Sequence, residues 1–160
     1  KKKKPARIIA KMNQLEDPKV IKALYEASQA GVKITLLVRG FCCLRPGVKG
    51  LSENIEVFSV VGRLLEHSRI FYFQNGAKNP VDGRFFIGSA DWMRRNLFDR
   101  VEVITPIKQD NLREELWDYL SLIQRDNRHL WVLKPNGDYT QRTPKSAKDE
   151  VNSQEIIINS

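Results

Sequence analysis

The chain has 160 residues, of which 41% are hydrophobic and 29% are charged, and its formal net charge is +8. This length and composition suit one globular domain. They exclude a membrane-spanning segment, because no apolar run approaches the roughly 18 residues that a span needs, and a signal peptide, because no apolar segment follows Lys1 to Lys4. The first residue is not Met, so we expect a piece of a longer polypeptide.

The positive charge is concentrated at the start of the chain. Residues 1–50 carry a net charge of +9, residues 51–100 carry +1, and residues 101–160 carry −2. A polyanion that meets the first third would explain this distribution, although composition cannot separate nucleic acid, anionic lipid, nucleotide and other phosphates.

The first elements form a β-α-β pattern. Residues 7–11 are mostly apolar and predict a short buried strand, and Asp17 followed by Pro18 predicts the start of a helix that ends at Gly31. Residues 33–38 are apolar and partly β-branched, which predicts a second strand. This order favours a parallel sheet and an α/β fold.

Six further elements follow along the chain. The same patterns predict strands over residues 55–61, 69–73, 84–87, 100–105 and 131–133, and an amphipathic helix over residues 109–125. We therefore expect one folded unit over residues 1–133, with a mixed, largely parallel sheet flanked by helices. Residues 134–160 are polar and predict a flexible tail.

The chain has few cysteine and histidine residues that could bind a metal ion. Cys42 and Cys43 are adjacent, where a disulfide is strained, and only His67 and His129 could complete a tetrahedral zinc site with them. Reduced thiols suit a cytosolic protein, so we expect a cytoplasmic location, with peripheral contact to the inner membrane face left open.

One short motif suggests phosphate chemistry. On an extended segment, the H-x-R spacing places His67 and Arg69 on the same side of the chain. An imidazole can act as nucleophile or proton donor, and a guanidinium neutralises phosphate oxygens. A later strand ends in Gly-Ser-Ala-Asp, where Ser89 and Asp91 follow a turn small enough for backbone N–H groups to approach an oxyanion.

Longer blocks resemble a known family. H-x-R followed by a strand pair and G-S-A-D resembles one half of the phospholipase D-like fold. The strings P-A-R-I-I-A-K-M-N, V-R-G-F-C-C-L-R-P-G, L-E-H-S-R-I and G-S-A-D-W-M-R-R-N are similar to the C-terminal part of bacterial polyphosphate kinase. The resemblance runs from about Pro5 to Ile107 and then weakens.

The resemblance implies a function for a larger protein. That family transfers the terminal phosphate of ATP reversibly to inorganic polyphosphate through a phosphohistidine, depends on Mg²⁺ and forms oligomers. The phosphorylated histidine and most magnesium contacts would lie in an upstream half of the same polypeptide, so we expect residues 1–160 alone to be inactive. The expected partners are ATP or ADP, polyphosphate, the upstream half and further copies of the protein, without specific nucleic acid.

The resemblance also implies residue roles. Arg39, in V-R-G, matches an arginine that binds ATP phosphates, and His67 matches a second essential histidine that contacts ATP and donates a proton. Arg69 replaces the lysine usual in the wider superfamily, which keeps the charge but changes its geometry, and Arg100 matches a position in the phosphate path. Weaker candidates for phosphate contacts are Ser89, Asp91 and Arg95, and no metal ligand is expected in this chain.

Two other functions remain open at this point. A phospholipase D-type phosphodiesterase would need a second H-x-K from a partner subunit. A basic nucleic-acid-binding module would explain the charge of residues 1–50 but not the order of His67, Arg69 and the Gly-Ser turn.

Overall fold

Residues 4–159, which this computed structural model describes, contain one eight-stranded sheet with helices on both faces. The strands are β1 (Arg7–Met12), β2 (Lys33–Val38), β3 (Ile55–Val60), β4 (Arg69–Phe73), β5 (Arg84–Gly88), β6 (Ile104–Ile107), β7 (Leu130–Leu133) and β8 (Tyr139–Gln141). The helices are α1 (Pro18–Gln29), α2 (Arg94–Phe98), α3 (Asp110–Arg125) and α4 (Ser153–Ile158), with 3-10 turns at Pro80–Asp82 and Ala147–Asp149.

The strand order across the sheet is β6-β5-β4-β1-β2-β3-β7-β8. Only the β1–β2 and β2–β3 pairs are parallel, and every other pair of neighbours is antiparallel. The predicted α/β class and mixed sheet are therefore confirmed, but the prediction of a largely parallel sheet is wrong. The β-α-β pattern correctly indicated parallel pairing at the centre, whereas the flanking strands pair with partners that the sequence pattern does not specify.

Local sequence explains the opening β1-α1-β2 unit. The Asp17 carboxylate accepts a hydrogen bond from the backbone N–H of Val20 and caps α1, and Pro18 occupies the first turn, where its missing N–H costs nothing. Gly31 then adopts a φ of +89°, which a residue with a Cβ avoids. The predicted helix and both strands are confirmed.

Two apolar cores cover the two faces of the sheet. On one face, α1 packs Leu24 against strand residues such as Leu36 and Phe71. On the other face, α3 packs Leu120 and Ile123 against a second set of strand side chains. Because successive side chains of a strand point to opposite faces, the central strands contribute to both cores.

One edge of the sheet, which we call the site edge, gathers every candidate residue. The carboxyl ends of β1, β2, β3 and β5 meet there with the amino ends of β4, β6 and β7. Arg39 follows β2, His67 immediately precedes Ser68 and β4, and Ser89 and Asp91 follow β5. The topology thus brings together residues that are up to about fifty positions apart in the sequence.

The second half of the chain differs from the sequence prediction in three places. The strand expected over residues 100–105 begins later, at Ile104, because residues 100–103 form a loop in which Ser89 and Asn96 bind the Glu102 carboxylate. The short helix α2 was not predicted. Beyond Lys134 the chain forms β8 and α4 instead of lacking structure, while a domain boundary at residue 133 stays a prediction. Within residues 4–159, no helix is both long and apolar enough to cross a bilayer.

Candidate active site

The loops that follow β1, β2 and β5 are joined by backbone hydrogen bonds. The Arg39 N–H donates to the Met12 carbonyl over 3.3 Å, and the Gly40 N–H donates to the Asn13 carbonyl over 2.7 Å. The Glu16 N–H donates to the Trp92 carbonyl over 2.9 Å. These contacts fix the backbone on which the first phosphate candidate stands.

The Arg39 side chain is held from one side only. Its Nε donates to Oδ1 of the buried Asn13 over 3.1 Å, and its carbonyl accepts a hydrogen bond from the Ser59 hydroxyl over 2.9 Å. Within the described part of the chain, no hydrogen bond or ion pair involves its two terminal nitrogens. Those nitrogens are the pair that a guanidinium offers to phosphate oxygens.

Arg69 and Asp91 form a nearly buried ion pair that contacts the His67 backbone. Nε and Nη2 of Arg69 donate to the two Asp91 carboxylate oxygens over 3.2 and 3.1 Å, and the side chains are 13% and 5% exposed. Asp91 also accepts from the Asn13 N–H over 2.7 Å, and Nη1 of Arg69 donates to the His67 carbonyl over 2.9 Å. The Arg69 guanidinium thus makes more hydrogen bonds within the protein than the Arg39 guanidinium does. Phosphate binding by Arg69 stays a prediction.

The His67 ring is exposed. Its main-chain carbonyl is fixed by Arg69, but among residues 4–159 its imidazole nitrogens have no hydrogen-bond partner. An exposed imidazole on a fixed backbone can exchange protons with a substrate that arrives from outside.

A buried ion pair anchors the residues on both sides of His67. The Lys11 Nζ lies 3.3 Å from Glu66 Oε2, where the side chains are 6% and 12% exposed, and also donates to the Ser68 carbonyl and hydroxyl over 3.2 and 2.9 Å. The Tyr119 hydroxyl, on α3, donates to the same Glu66 oxygen over 2.7 Å. Side chains from β1 and α3 therefore hold the segment that carries His67.

Burial changes the ionisation of this cluster. Desolvation lowers the pKa of Lys11 below its ordinary value, and the positive charges of Arg39 and Arg69 lower it further, while Glu66 opposes that shift. Desolvation also raises the pKa of the Tyr119 hydroxyl, so it remains a hydrogen-bond donor at neutral pH.

A narrow cavity lies between Arg39 and Glu66 at the site edge. It has a volume of about 20 Å³, and Lys11, Arg39 and Glu66 are among the residues that line it. Because Glu66 directly precedes His67, the Arg39 loop (residues 39–54, between β2 and β3) and the His67 loop (residues 61–68, between β3 and β4) meet at this cavity. A common phosphate site for Arg39 and His67 stays a prediction.

The remaining candidates lie further out along the site edge. The Ser89 hydroxyl donates to Glu102 and accepts from the Val103 N–H over 3.0 Å, so it structures a loop. Hydrogen bonds from Ser89 and Asn96 lower the pKa of Glu102. Arg95, on α2, and Arg100 are exposed and could meet an extended polyanion.

Two carboxylates of the site edge are already engaged by cationic side chains. At the site edge Glu66 is paired with Lys11, and Asp91 is paired with Arg69. The described residues contain no group of three or more His, Cys, Asp or Glu that could hold a metal ion. Mg²⁺ prefers oxygen ligands, including carboxylates and substrate phosphates.

Sequence reasoning missed four residues of the site: Lys11, Asn13, Glu66 and Tyr119. Lys11 stands in an otherwise apolar strand, which is a signal for a buried partner because an unpaired buried ammonium is costly. Tyr119 lies on the apolar face of α3, where its hydroxyl needs a hydrogen-bond acceptor. No comparable signal in the sequence pairs either residue with Glu66, which lies more than fifty positions away from both.

The fold of this chain is phospholipase D-like. The crystal structure of Nuc, a phospholipase D family member from Salmonella typhimurium, superposes with a TM-score of 0.57 over 86% of this chain and 84% of that one. The two sequences are 12% identical, so the likeness concerns the fold alone.

Residues 1–154 match the family model described as polyphosphate kinase C-terminal domain 2. The chain therefore belongs to the polyphosphate kinase family, and the resemblance noted in the sequence is confirmed. It is 57% identical over 151 residues to a polyphosphate kinase from Synechocystis, covering 94% of this chain and 20% of that protein. For a polyphosphate kinase from Pseudomonas putida the identity is 50%, with 97% and 21% covered.

A solved structure agrees with these sequence relatives. The crystal structure of polyphosphate kinase from Porphyromonas gingivalis matches with a TM-score of 0.90 and 41% identity, over 98% of this chain and 23% of that one. The chain thus spans about a fifth of the length of the relatives it matches.

Proposed function

We propose that this chain is the C-terminal catalytic half of an ATP:polyphosphate phosphotransferase. The observation that carries the proposal is the Arg39 guanidinium, whose Nε is fixed by Asn13 and whose terminal nitrogens are left for phosphate, beside the loop that presents His67. Family membership over residues 1–154 supports the same activity.

The reaction would run in two balanced steps. First, a histidine of the upstream half attacks the terminal phosphorus of ATP; a nitrogen–phosphorus bond forms while the bond to the ADP oxygen breaks. His67 donates a proton to that departing oxygen and takes one up again from solvent before the next turnover. Second, a terminal oxygen of polyphosphate attacks the phosphohistidine, which breaks the nitrogen–phosphorus bond and lengthens the chain by one phosphate. The reverse sequence makes ATP from ADP.

The arginines would act by electrostatics. Arg39 binds phosphate oxygens of the nucleotide, where charge develops as ADP leaves. Arg95 and Arg100, which are exposed along the same edge, contact the polyphosphate chain. Arg69 contributes charge while its bonds to Asp91 and the His67 carbonyl hold the histidine backbone in place.

The proposal includes the setting of the reaction. The upstream half supplies the nucleophile and the magnesium contacts, the protein is an oligomer, and the reaction takes place in the cytoplasm. ATP, ADP and polyphosphate are the substrates. Family membership favours this transferase over a phospholipase D-type diesterase, which shares the fold.

Terminally radiolabelled ATP provides the test. The complete enzyme, meaning this chain joined to the further sequence that its relatives carry, should yield labelled protein and labelled polymer. Residues 1–160 alone should yield neither, because they lack the nucleophile. Stable label on His67 would reverse the assignment of roles, and hydrolysis of a phosphodiester without any ATP-dependent labelling would favour the diesterase.

A further inference from the structure

We propose that the C-terminal segment, residues 127–159 after α3, positions the His67 loop through the side chain of Gln154. The inference rests on the proposed function, because it assigns Gln154 a positioning role in that reaction. The His67 loop is defined here as residues 61–68, between β3 and β4.

The Gln154 side-chain amide binds both the backbone N–H and the carbonyl of Leu64 in this loop. Its Nε2 donates to the Leu64 carbonyl over 3.0 Å, and its Oε1 accepts from the Leu64 N–H over 2.8 Å. Gln154 is 1% exposed, so water cannot readily replace either bond. The contact fixes the loop backbone three residues before His67.

The position of Gln154 is itself fixed by its neighbour. Asp126 is fully buried at the end of α3, and its Oδ2 accepts from both the backbone N–H and the hydroxyl of Ser153, over 2.8 and 2.6 Å. Asn127 and Val151 exchange hydrogen bonds of 3.0 and 2.7 Å. The start of α4 is therefore tied to the end of α3, and Gln154 reaches the loop from an anchored backbone.

The loop approaches Gln154 too closely for a side chain at position 62. A Cβ added to Gly62 would lie 2.5 Å from the Gln154 Oε1 and 3.2 Å from the His129 ring. Gly62 has no positive φ, so alanine would strain this contact and not the backbone. Gly62 thus offers a second way to disturb the same contact without removing Gln154.

The Gln154 contact complements the Lys11–Glu66 pair. Glu66 and Ser68 are held from the sheet and from α3, whereas residues 61–65 are exposed and are held from the C-terminal segment. Loss of Gln154 would leave residues 61–65 with a backbone bond of 3.1 Å from the Val61 N–H to the His129 carbonyl and an exposed Arg63–Glu155 ion pair of 3.9 Å. Arg39, on a separate loop with its own backbone bonds, would keep its place.

The experiment compares Gln154→Leu and Gly62→Ala with Gln141→Leu in the complete enzyme. Gln141 is a matched control because its amide binds the Arg128 carbonyl within the C-terminal segment and does not touch the His67 loop. We expect amide exchange in residues 61–66 to accelerate about tenfold or more in both test variants, as two lost hydrogen bonds suggest. Turnover should fall about tenfold, while the Michaelis constant for ATP should change less than about twofold.

The outcomes separate this inference from the proposed function. Unchanged exchange in residues 61–66, or equal effects in Gln141→Leu, would overturn the positioning role and leave the kinase proposal standing. Faster exchange with unchanged turnover would also overturn it, since the loop would then not need this anchor. If His67→Ala itself kept full activity, the proposed function of the site would fail, whatever Gln154 does.

Discussion

The two loops that meet at the site edge are held in different ways. The Arg39 loop is fixed by main-chain bonds to its neighbours, including Gly40 to Asn13 and Cys43 to Leu15. The His67 loop has few such bonds: the Val61 N–H donates to the His129 carbonyl, and Glu66 bonds within the loop. Side chains from β1, α3 and α4 supply the rest.

This difference teaches where single substitutions can act. A loop held by main-chain bonds keeps its shape when a side chain changes, so a substitution there should remove only the chemistry of that side chain. A loop held by distant side chains can lose its shape through residues that never meet the substrate. The following predictions test this contrast.

His67→Ala in the complete enzyme should give the largest effect. A positioned acid or base contributes about 10²–10⁴-fold to rate, which corresponds to roughly 2.7–5.4 kcal/mol. The ring is exposed and makes no hydrogen bond among the described residues, so the melting temperature should hardly move. Steady-state kinetics and a thermal melt measure both. Near-normal turnover with a collapsed melting temperature would make His67 a structural residue.

Lys11→Met should destabilise the chain by about 3 kcal/mol, because it leaves the Glu66 carboxylate buried without its cation. Urea unfolding measures the loss, and amide exchange should show it first in residues 66–68. Lys33→Met is the matched control, since Lys33 is an exposed lysine of β2 whose ammonium, within residues 4–159, binds only the Asn54 side chain. Adding Glu66→Gln to Lys11→Met should restore part of the stability; no recovery would argue against the ion pair as the cause.

The same contrast explains how far the sequence predicts this molecule. The Arg39 loop follows a strand in a β-α-β unit, and its place at the carboxyl end of a parallel strand can be read from local patterns. The residues that hold the His67 loop cannot be predicted from local patterns. Gln154 lies 90 positions from Leu64, in a segment whose polar composition suggested no structure. The H-x-R spacing and the family resemblance both point to His67 in the sequence, whereas the side chains that hold its loop depend on tertiary packing alone.

Arg39→Ala should have a smaller and different effect. It removes a phosphate contact but leaves the main-chain bonds of the loop, so the Michaelis constant for ATP should rise about tenfold, or roughly 1.4 kcal/mol. The Michaelis constant of Arg39→Lys should lie between those of the unchanged enzyme and Arg39→Ala, because an ammonium keeps the charge but not the planar geometry of the guanidinium. Amide exchange in residues 39–43 should stay unchanged. A loss of turnover with an unaltered Michaelis constant would contradict ground-state phosphate binding.

The smallest effect should appear as acid sensitivity of the His67 loop. Burial alone would raise the pKa of Asp126, but hydrogen bonds from Ser153, His129 and Arg128 outweigh it and hold that pKa below its ordinary value. A carboxyl group with a lowered folded-state pKa stabilises the protein above its unfolded-state pKa of about 4, and this stabilisation is lost as the pH falls through the folded-state pKa.

Protonation of Asp126 would release Ser153 and, with it, Gln154. As the pH falls below about 4, the protection of amides in residues 61–66 against exchange, relative to their intrinsic rates, should therefore decrease before that of residues 39–43 does. Asp138→Asn, at an exposed carboxylate of the same segment, should leave this order unchanged, whereas Asp126→Asn should loosen residues 61–66 already at neutral pH. Simultaneous loosening of both loops in acid would mean that they share one anchor, and the contrast between them would be wrong.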